Sequence, residues 1–179
     1  MVTVGSSRRR TETGDDPDRP TYVAGAQASG RGLEPSRQRG CASVNVAELM
    51  NDLPFTQHMG IEVLGAEDGE AVGELTLERE QTTVPDAPVA HGGVAYALAD
   101  TVGGAAVISL HHRPTPTVDM RIDYHAPATG DLRAGAEVVR NGGSVATADV
   151  RVELDDGMHA ASARGVFKTG GDRTGVWNG

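Results

Sequence analysis

From residue 46 onward the chain switches between two hydrophobic periods. VAELMNDL (46–53) places Val46, Leu49, Met50 and Leu53 at i, i+3, i+4 and i+7, the spacing of one helical face. Asn45 is suited to cap this helix, and Pro54 is expected to end it. GIEVLGAEDGEAVGELTLERE (60–80) changes to a period of two. Ile61 and Val63 alternate with Glu62; Ala71, Gly73, Leu75 and Leu77 alternate with Val72, Glu74, Thr76 and Glu78. Two strands joined by the turn AEDGE are predicted. Residues 81–90 contain Pro85 and Pro88 and read as a loop. Residues 91–110 are apolar almost throughout and predict a long helix. Four strand-like runs follow, separated by APATGD, RNGGS and LDDGM, which is hairpin chemistry. TVDMRIDYHAP sets Val118, Met120, Ile122 and Tyr124 on one face; DLRAGAEVVR sets Leu132, Ala134, Ala136 and Val138. SVATADVRVEL sets Ala146, Ala148, Val150, Val152 and Leu154, and MHAASARGVFK alternates small with charged residues.

Clean alternation in so many runs predicts an antiparallel sheet with one wet and one packed face. A single long helix is available to cover it. The expected class is α+β, a curved antiparallel sheet wrapped around a long central helix. Val94, Tyr96, Leu98, Val102, Ala105 and Ile108 lie on different sides of that helix, so it is apolar all round. One sheet face covers one side, which predicts a partner subunit over the rest. The small residues Gly103, Gly104, Ala105 and Ala106 would let that partner come close.

Composition narrows the folded part. Residues 1–42 hold RRR, DDPDRP, SGRG and PSRQRG with almost no apolar run, and are expected to be a disordered arm. Residues 43–169 form the expected domain, and 170–179 (GGDRTGVWNG) a flexible tail. The net charge of −9 disfavours nucleic acid as a partner. Arg8–Arg10 are followed by acids and by no apolar segment, so no secretory or twin-arginine signal is expected. No apolar stretch of spanning length is free of charge, no membrane association is expected, and a cytoplasmic setting is the default. The one cysteine, Cys41, excludes a disulfide framework within a single chain.

Candidate chemistry centres on VAHGGVAYALADTVGGAAV (89–107), where Asp100 is the only charged residue. A carboxylate among apolar side chains must be paired, hydrogen-bonded or neutralised. It is either a structural acid, bonded to a loop or an arginine, or a catalytic one. His91 at the helix start reads as a cap or as a functional side chain. Gly92 and Gly93 read as helix-start glycines, or as an oxyanion site whose N–H groups lie at the positive end of the helix. Gly92 and Asp100 are eight residues apart, roughly 12 Å along a helix axis. They cannot both reach one reacting group from the same helix. Two antiparallel copies about a two-fold axis would bring each helix start near the other's Asp100, making two identical sites.

HGGVAYALAD resembles the signature of PaaI-type acyl-CoA thioesterases of the hotdog fold, within the 4-hydroxybenzoyl-CoA thioesterase superfamily. The resemblance spans roughly 45–169 and includes the element order, HGG at the helix start, the acid nine residues after the histidine, and TVDMRIDYHAPA. It implies a hotdog fold, a homodimer that often pairs into a homotetramer, and hydrolysis of an acyl-CoA thioester without a cofactor. It also implies that the acid and the glycine N–H come from opposite subunits. Carried over residue by residue, Asp100 matches the acid, as nucleophile or general base. Gly92 matches the N–H that polarises the carbonyl, and His91 the histidine that orients substrate or loop. Thr117 matches a hydroxyl that helps place the attacking water. Where some members have asparagine or glutamine, about six residues before the histidine, this chain has Pro85.

Gly93, Arg113 and Arg121 are candidate substrate contacts, the arginines (with Lys168) toward CoA phosphates; each cation also reads as a solvated surface charge. His111, His112 and His125 lack an acid at ligand spacing, so no metal site is expected. No phosphate loop, G-x-S-x-G or dinucleotide fingerprint is present. The alternative function on the same fold is a non-catalytic acyl-CoA binding or sensing module; a dehydratase would need an Asp/His pair on one loop.

Overall fold

The computed structural model describes residues 45–84 and 87–170. The expectations for 1–42 and for 171–179 fall outside these residues. Gly170, assigned above to the tail, still donates its N–H to the Ser144 carbonyl at 3.1 Å.

Helix α1 (Val46–Asn51) begins as expected, with the Asn45 side chain accepting from the N–H groups of Ala47 and Glu48. Pro54 does not simply terminate it. It occupies the first turn of a second short helix, α2 (Pro54–Met59), where the missing proline N–H costs nothing. Strands β1 (Ile61–Glu67) and β2 (Glu70–Leu75) follow. Their turn is Asp68–Gly69, both with positive φ (51° and 87°), which a two-residue hairpin of the strands' twist requires. The loop expected at 81–90 is partly structured: it holds the short antiparallel strands β3 (Thr82–Val84) and β4 (Ala87–Ala90). Segments of three and four residues are too short for periodicity to reveal.

Helix α3 (Gly92–His111) is followed by β5 (Thr117–Tyr124), β6 (Leu132–Asn141), β7 (Val145–Leu154) and β8 (His159–Lys168). The six long strands form one antiparallel sheet in the order β1-β2-β6-β7-β8-β5. Helix α3 contacts all six. A flat sheet of that size is about 24 Å across, more than a helix of 10–12 Å can span. The sheet therefore curves around α3, as expected.

That curvature corrects one expectation. Thirteen of the twenty residues of α3 are buried within the single chain, so no partner is needed to cover most of its sides. The small residues serve the chain's own sheet. A Cβ on Gly103 would sit 3.2 Å from Phe167 and from Val150, and one on Gly73 would sit 2.7 Å from Val102. By length and composition α3 could cross a membrane, but 72% of its apolar window is buried as the core of this domain.

The two sheet edges differ. On β1, the Asn51 side chain accepts from the Val63 N–H (2.8 Å) and donates to the Val63 carbonyl (3.0 Å), so an amide stands in for a neighbouring strand. The β5 edge has no neighbouring strand among the described residues, and the side-chain contact on it is weaker, the Tyr96 hydroxyl lying 3.5 Å from the Met120 carbonyl. The apolar face expected for β5 is also not buried: Val118 is 61% and Tyr124 54% exposed, while Met120 and Ile122 only partly pack on the core. Pairing of β5 with β8 slips by one residue between Thr117 and Asp119. This bulge takes Val118 out of the alternation and turns Thr117, an odd-numbered residue, toward the same face as Met120 and Ile122.

Candidate active site

Three residues of α3 at successive i+4 steps, Gly92, Tyr96 and Asp100, form a stripe beside β5. At one end the Tyr124 hydroxyl donates to the Gly92 carbonyl at 2.8 Å. In the middle Tyr96 lies near the Met120 carbonyl, with its hydroxyl 3.5 Å away. At the other end the Thr117 hydroxyl donates to Asp100 Oδ1 at 2.8 Å. Helix and strand run antiparallel, so the stripe follows the open edge of the sheet.

Asp100 has neither of its simplest structural explanations among the described residues. It forms no ion pair with an arginine, and its one hydrogen-bond donor is Thr117. Burial lifts its carboxyl above the ordinary aspartate value, and the Thr117 hydroxyl partly offsets this. The result is a half-buried carboxylate of raised basicity with one oxygen free of protein donors, suited to take a proton.

At the helix start, His91 is the N-cap. Its Nδ1 accepts from the Gly93 N–H at 3.0 Å, and its carbonyl accepts from Val94 N–H at 2.8 Å. The Gly92 N–H has no acceptor among the described residues. Of the two glycines proposed to face an anion, Gly93 is thus committed to its cap, and Gly92 alone offers a free donor at the positive helix end. A Cβ at Gly92 would lie 3.1 Å from the Tyr124 hydroxyl, so the tyrosine would have to shift by a few tenths of an ångström to admit a side chain there. The His91 N–H donates to the Gln81 carbonyl at 2.8 Å, and the Gln81 amide donates to the Met59 carbonyl at 2.8 Å. The segment around β3 and β4 therefore anchors the helix start.

Two clefts open on either side of His91. One, of about 330 Å³, is lined by Gly92, Ala95, Tyr124, His125, Ala128 and Ala161 among others. The second, of about 820 Å³, lies between α2 and α3, with Phe55, Met59, Gln81, Gly93, Val94 and Ala97 in its wall.

A family model described as Thioesterase superfamily matches residues 87–161, the segment that carries both ends of the stripe. A Halobacterium salinarum protein to which an esterase activity is ascribed is 34% identical over 116 residues, covering 62% of this chain and 77% of that protein. The chain belongs to the thioesterase superfamily. Its fold is that of solved hotdog thioesterases. The phenylacetic acid degradation protein PaaI of Thermus thermophilus, solved as a point mutant, is 30% identical, with a TM-score of 0.58 over 65% of this chain and 99% of that one. A Streptococcus pneumoniae hypothetical thioesterase, solved with coenzyme A, shares the fold at 24% identity and a TM-score of 0.57, over 64% of this chain and 88% of that one.

In this thioesterase-superfamily chain the remaining candidates lie apart from the stripe. Arg113 follows the far end of α3 and is exposed. Arg121 is on the outer sheet face, paired with Asp123 at 2.9 Å. Lys168 ends β8 and is exposed. The histidines disperse: His111 Nε2 lies 2.7 Å from Asn141 Oδ1, His112 is the C-cap of α3, and His125 packs on His159 with ring centroids 4.5 Å apart. Among the described residues no cluster of three or more His, Cys, Asp or Glu could hold a metal ion. Pro85 lies outside the described residues. Sequence reasoning missed Tyr124, whose pairing with Gly92 joins residues 32 apart. Tyr96 was findable, since it is the midpoint of the 92/96/100 spacing.

Proposed function

We propose that this chain hydrolyses acyl-CoA thioesters in a site shared by two copies, with Asp100 from one and the helix start at Gly92 from the other. The observation that carries the reading is the stripe. A free N–H at its head and a carboxylate of raised basicity at its tail both lie along β5, a strand paired on one side with β8 and without a strand neighbour on its outer side among the described residues. An antiparallel β5–β5 pairing about a two-fold axis normal to the sheet reverses the stripe. The Tyr124 end of one copy then meets the Thr117 end of the other, and with it Gly92 meets the partner's Asp100. The need for a partner rests on the open edge, since the helix is largely covered by its own sheet. The superfamily membership and a coenzyme A complex of a protein of this fold support the substrate class.

In this mechanism the thioester carbonyl oxygen accepts from the Gly92 N–H. Asp100 takes a proton from a water molecule whose oxygen attacks the carbonyl carbon. The C–O bond forms and negative charge moves to the carbonyl oxygen, where the N–H and the helix dipole stabilise it. Collapse breaks the C–S bond, and the CoA thiolate leaves. Thr117 holds the carboxylate oriented; His91 fixes the turn that presents Gly92. No cofactor takes part.

The test is release of free thiol from a panel of acyl-CoAs by Asp100→Asn and Gly92→Pro chains, alone and co-expressed. Each variant alone should be inactive. In a heterodimer one site receives both defects and the other neither, so activity should return to roughly half of wild type. Folded heterodimers with no recovery would refute the shared site. Wild-type protein that binds acyl-CoA but releases no thiol would establish the binding module instead.

A further inference from the structure

The outer face of the sheet carries a chain of hydrogen bonds that the mechanism above does not use. On β8 the neighbours of Ser162, Ala161 and Ala163, are buried, so the serine side chain projects away from α3. Two imidazoles meet its hydroxyl. His125 Nε2 lies 3.0 Å from Ser162 Oγ, and His159 Nε2 lies 2.9 Å from it. On the far side of His159, Arg151 Nη1 lies 3.0 Å from Nδ1. Ser162 and His159 are half-buried, and His125 is exposed.

The direction of this chain is set by two groups that can play only one part. A guanidinium only donates, so His159 Nδ1 accepts from Arg151. A carbonyl only accepts, and the Ala161 carbonyl lies 3.1 Å from His159 Nε2. His159 is therefore neutral, with its hydrogen on Nε2. Burial, the Arg151 charge and His125 hold this imidazole below its usual pKa, in keeping with that tautomer. Its Nε2–H is shared between the Ala161 carbonyl and Ser162 Oγ. The serine's own hydrogen is then left to donate to His125 Nε2, which must be a bare nitrogen. A hydroxyl donating to an unprotonated imidazole is the arrangement of a nucleophile with its general base.

The same polarity argues against two other uses of the cluster. A metal held by His159 Nε2 would need the hydrogen on Nδ1, against the Arg151 donor. A phosphoryl donor would need free cations, and those nearby are committed. Arg151 holds Glu153 at 2.6 Å, Arg164 holds Asp149 at 2.5 Å, and Arg121 holds Asp123 at 2.9 Å. Asp123 and Glu153 stand directly across from Ser162 and His159, so these ion pairs also keep both carboxylates from the serine hydrogen. An uncharged acyl carbonyl requires no free cation.

We propose that Ser162 is an acyl-accepting site, with His125 as its base, separate from the stripe along α3. Ser162 Oγ attacks the carbonyl carbon of an acyl thioester while its proton passes to His125 Nε2. The C–O bond forms, the C–S bond breaks, and the thiolate leaves and takes up the imidazolium proton. The products are an O-acyl serine and a free thiol. Acyl-CoA as the donor rests on the function proposed above; the serine and its base do not.

The full chain carrying Asp100→Asn, which lacks the proposed hydrolytic acid, is incubated with isotope-labelled acetyl-CoA, and the label is mapped by mass spectrometry. Ser162 should be labelled ahead of every other serine. His125→Ala, at an exposed position, should slow that labelling on the order of 10²–10⁴-fold. Ser162→Ala should abolish it, and in a chain with Asp100 intact should leave thiol release unchanged. Labelling of Ser162 that is as fast without His125 would overturn the site, as would label spread over serines and lysines with no excess at Ser162. Long-range proton–nitrogen NMR correlations read the tautomers without any labelling. His159 should carry its hydrogen on Nε2 and His125 on Nδ1; a His125 protonated on Nε2 at neutral pH would remove the base and overturn the proposal. Neither failure would touch the Asp100–Gly92 site, which the complementation of Asp100→Asn and Gly92→Pro chains tests separately.

Discussion

Thr117→Val isolates one interaction in the site. The substitution keeps the branched shape and removes the hydroxyl that donates to Asp100 Oδ1 at 2.8 Å. Burial already holds this carboxyl above the ordinary aspartate range, and the hydroxyl is what pulls it back. A hydrogen bond to a charged group is worth about 1.5–3 kcal/mol. Thr117 is exposed in the single chain and water can replace part of the bond, so the lower figure applies, about 1.5 kcal/mol. That corresponds to about a tenfold loss in the ratio of carboxylate to carboxylic acid at a given pH. The sign is fixed: without the donor the acid holds its proton to higher pH. The acid limb of kcat/KM for thiol release should move to higher pH, with activity on that limb down about tenfold and the alkaline plateau largely kept. Thr117→Ser retains a hydroxyl and should restore the wild-type profile. A folded Thr117→Val protein whose pH profile overlays that of wild type would refute this reasoning, since either the hydroxyl does not tune Asp100 or Asp100 is not the ionisation that limits the rate.

Asp100→Asn should lower kcat on the order of 10²–10⁴-fold in the thiol assay. It should also raise the melting temperature at neutral pH. A carboxyl whose folded pKa is raised favours folding below its unfolded pKa and loses that contribution as pH rises through the folded one; the melting difference should therefore shrink in acid. His91→Ala removes the acceptor for Gly93 N–H and should cost about 0.5–2 kcal/mol in denaturant unfolding, with a smaller loss of activity than Asp100→Asn. Gly165→Ala would place a Cβ 2.6 Å from the Phe167 ring and 2.8 Å from Met120, so about 1–3 kcal/mol of stability should be lost in the same measurement. Asn51→Ala should cost about 1–3 kcal/mol by leaving the Val63 N–H and carbonyl on the β1 edge without their amide partner.

Hydrophobic period alone determined most of this fold. A period near four over 46–53 and apolar continuity over 91–110 specified helices, and a period of two in six runs specified an antiparallel sheet. These are local properties, because side-chain direction repeats with the backbone. The candidate site was legible for the same reason. His91, Gly92 and Asp100 lie on one helix, where spacing converts directly into distance. Other features depended on residues distant in sequence. Whether α3 needed a partner turned on the curvature of the sheet, to which all six strands contribute. The commitment of Gly93 to its cap turned on the His91 rotamer. Thr117 reaches Asp100 because a one-residue slip against β8 reverses its face, and no period within β5 encodes that slip. Tyr124 meets Gly92 only after helix and strand have packed. The open β5 edge is visible only once the order of the strands is known, because an edge belongs to the sheet and not to any one strand.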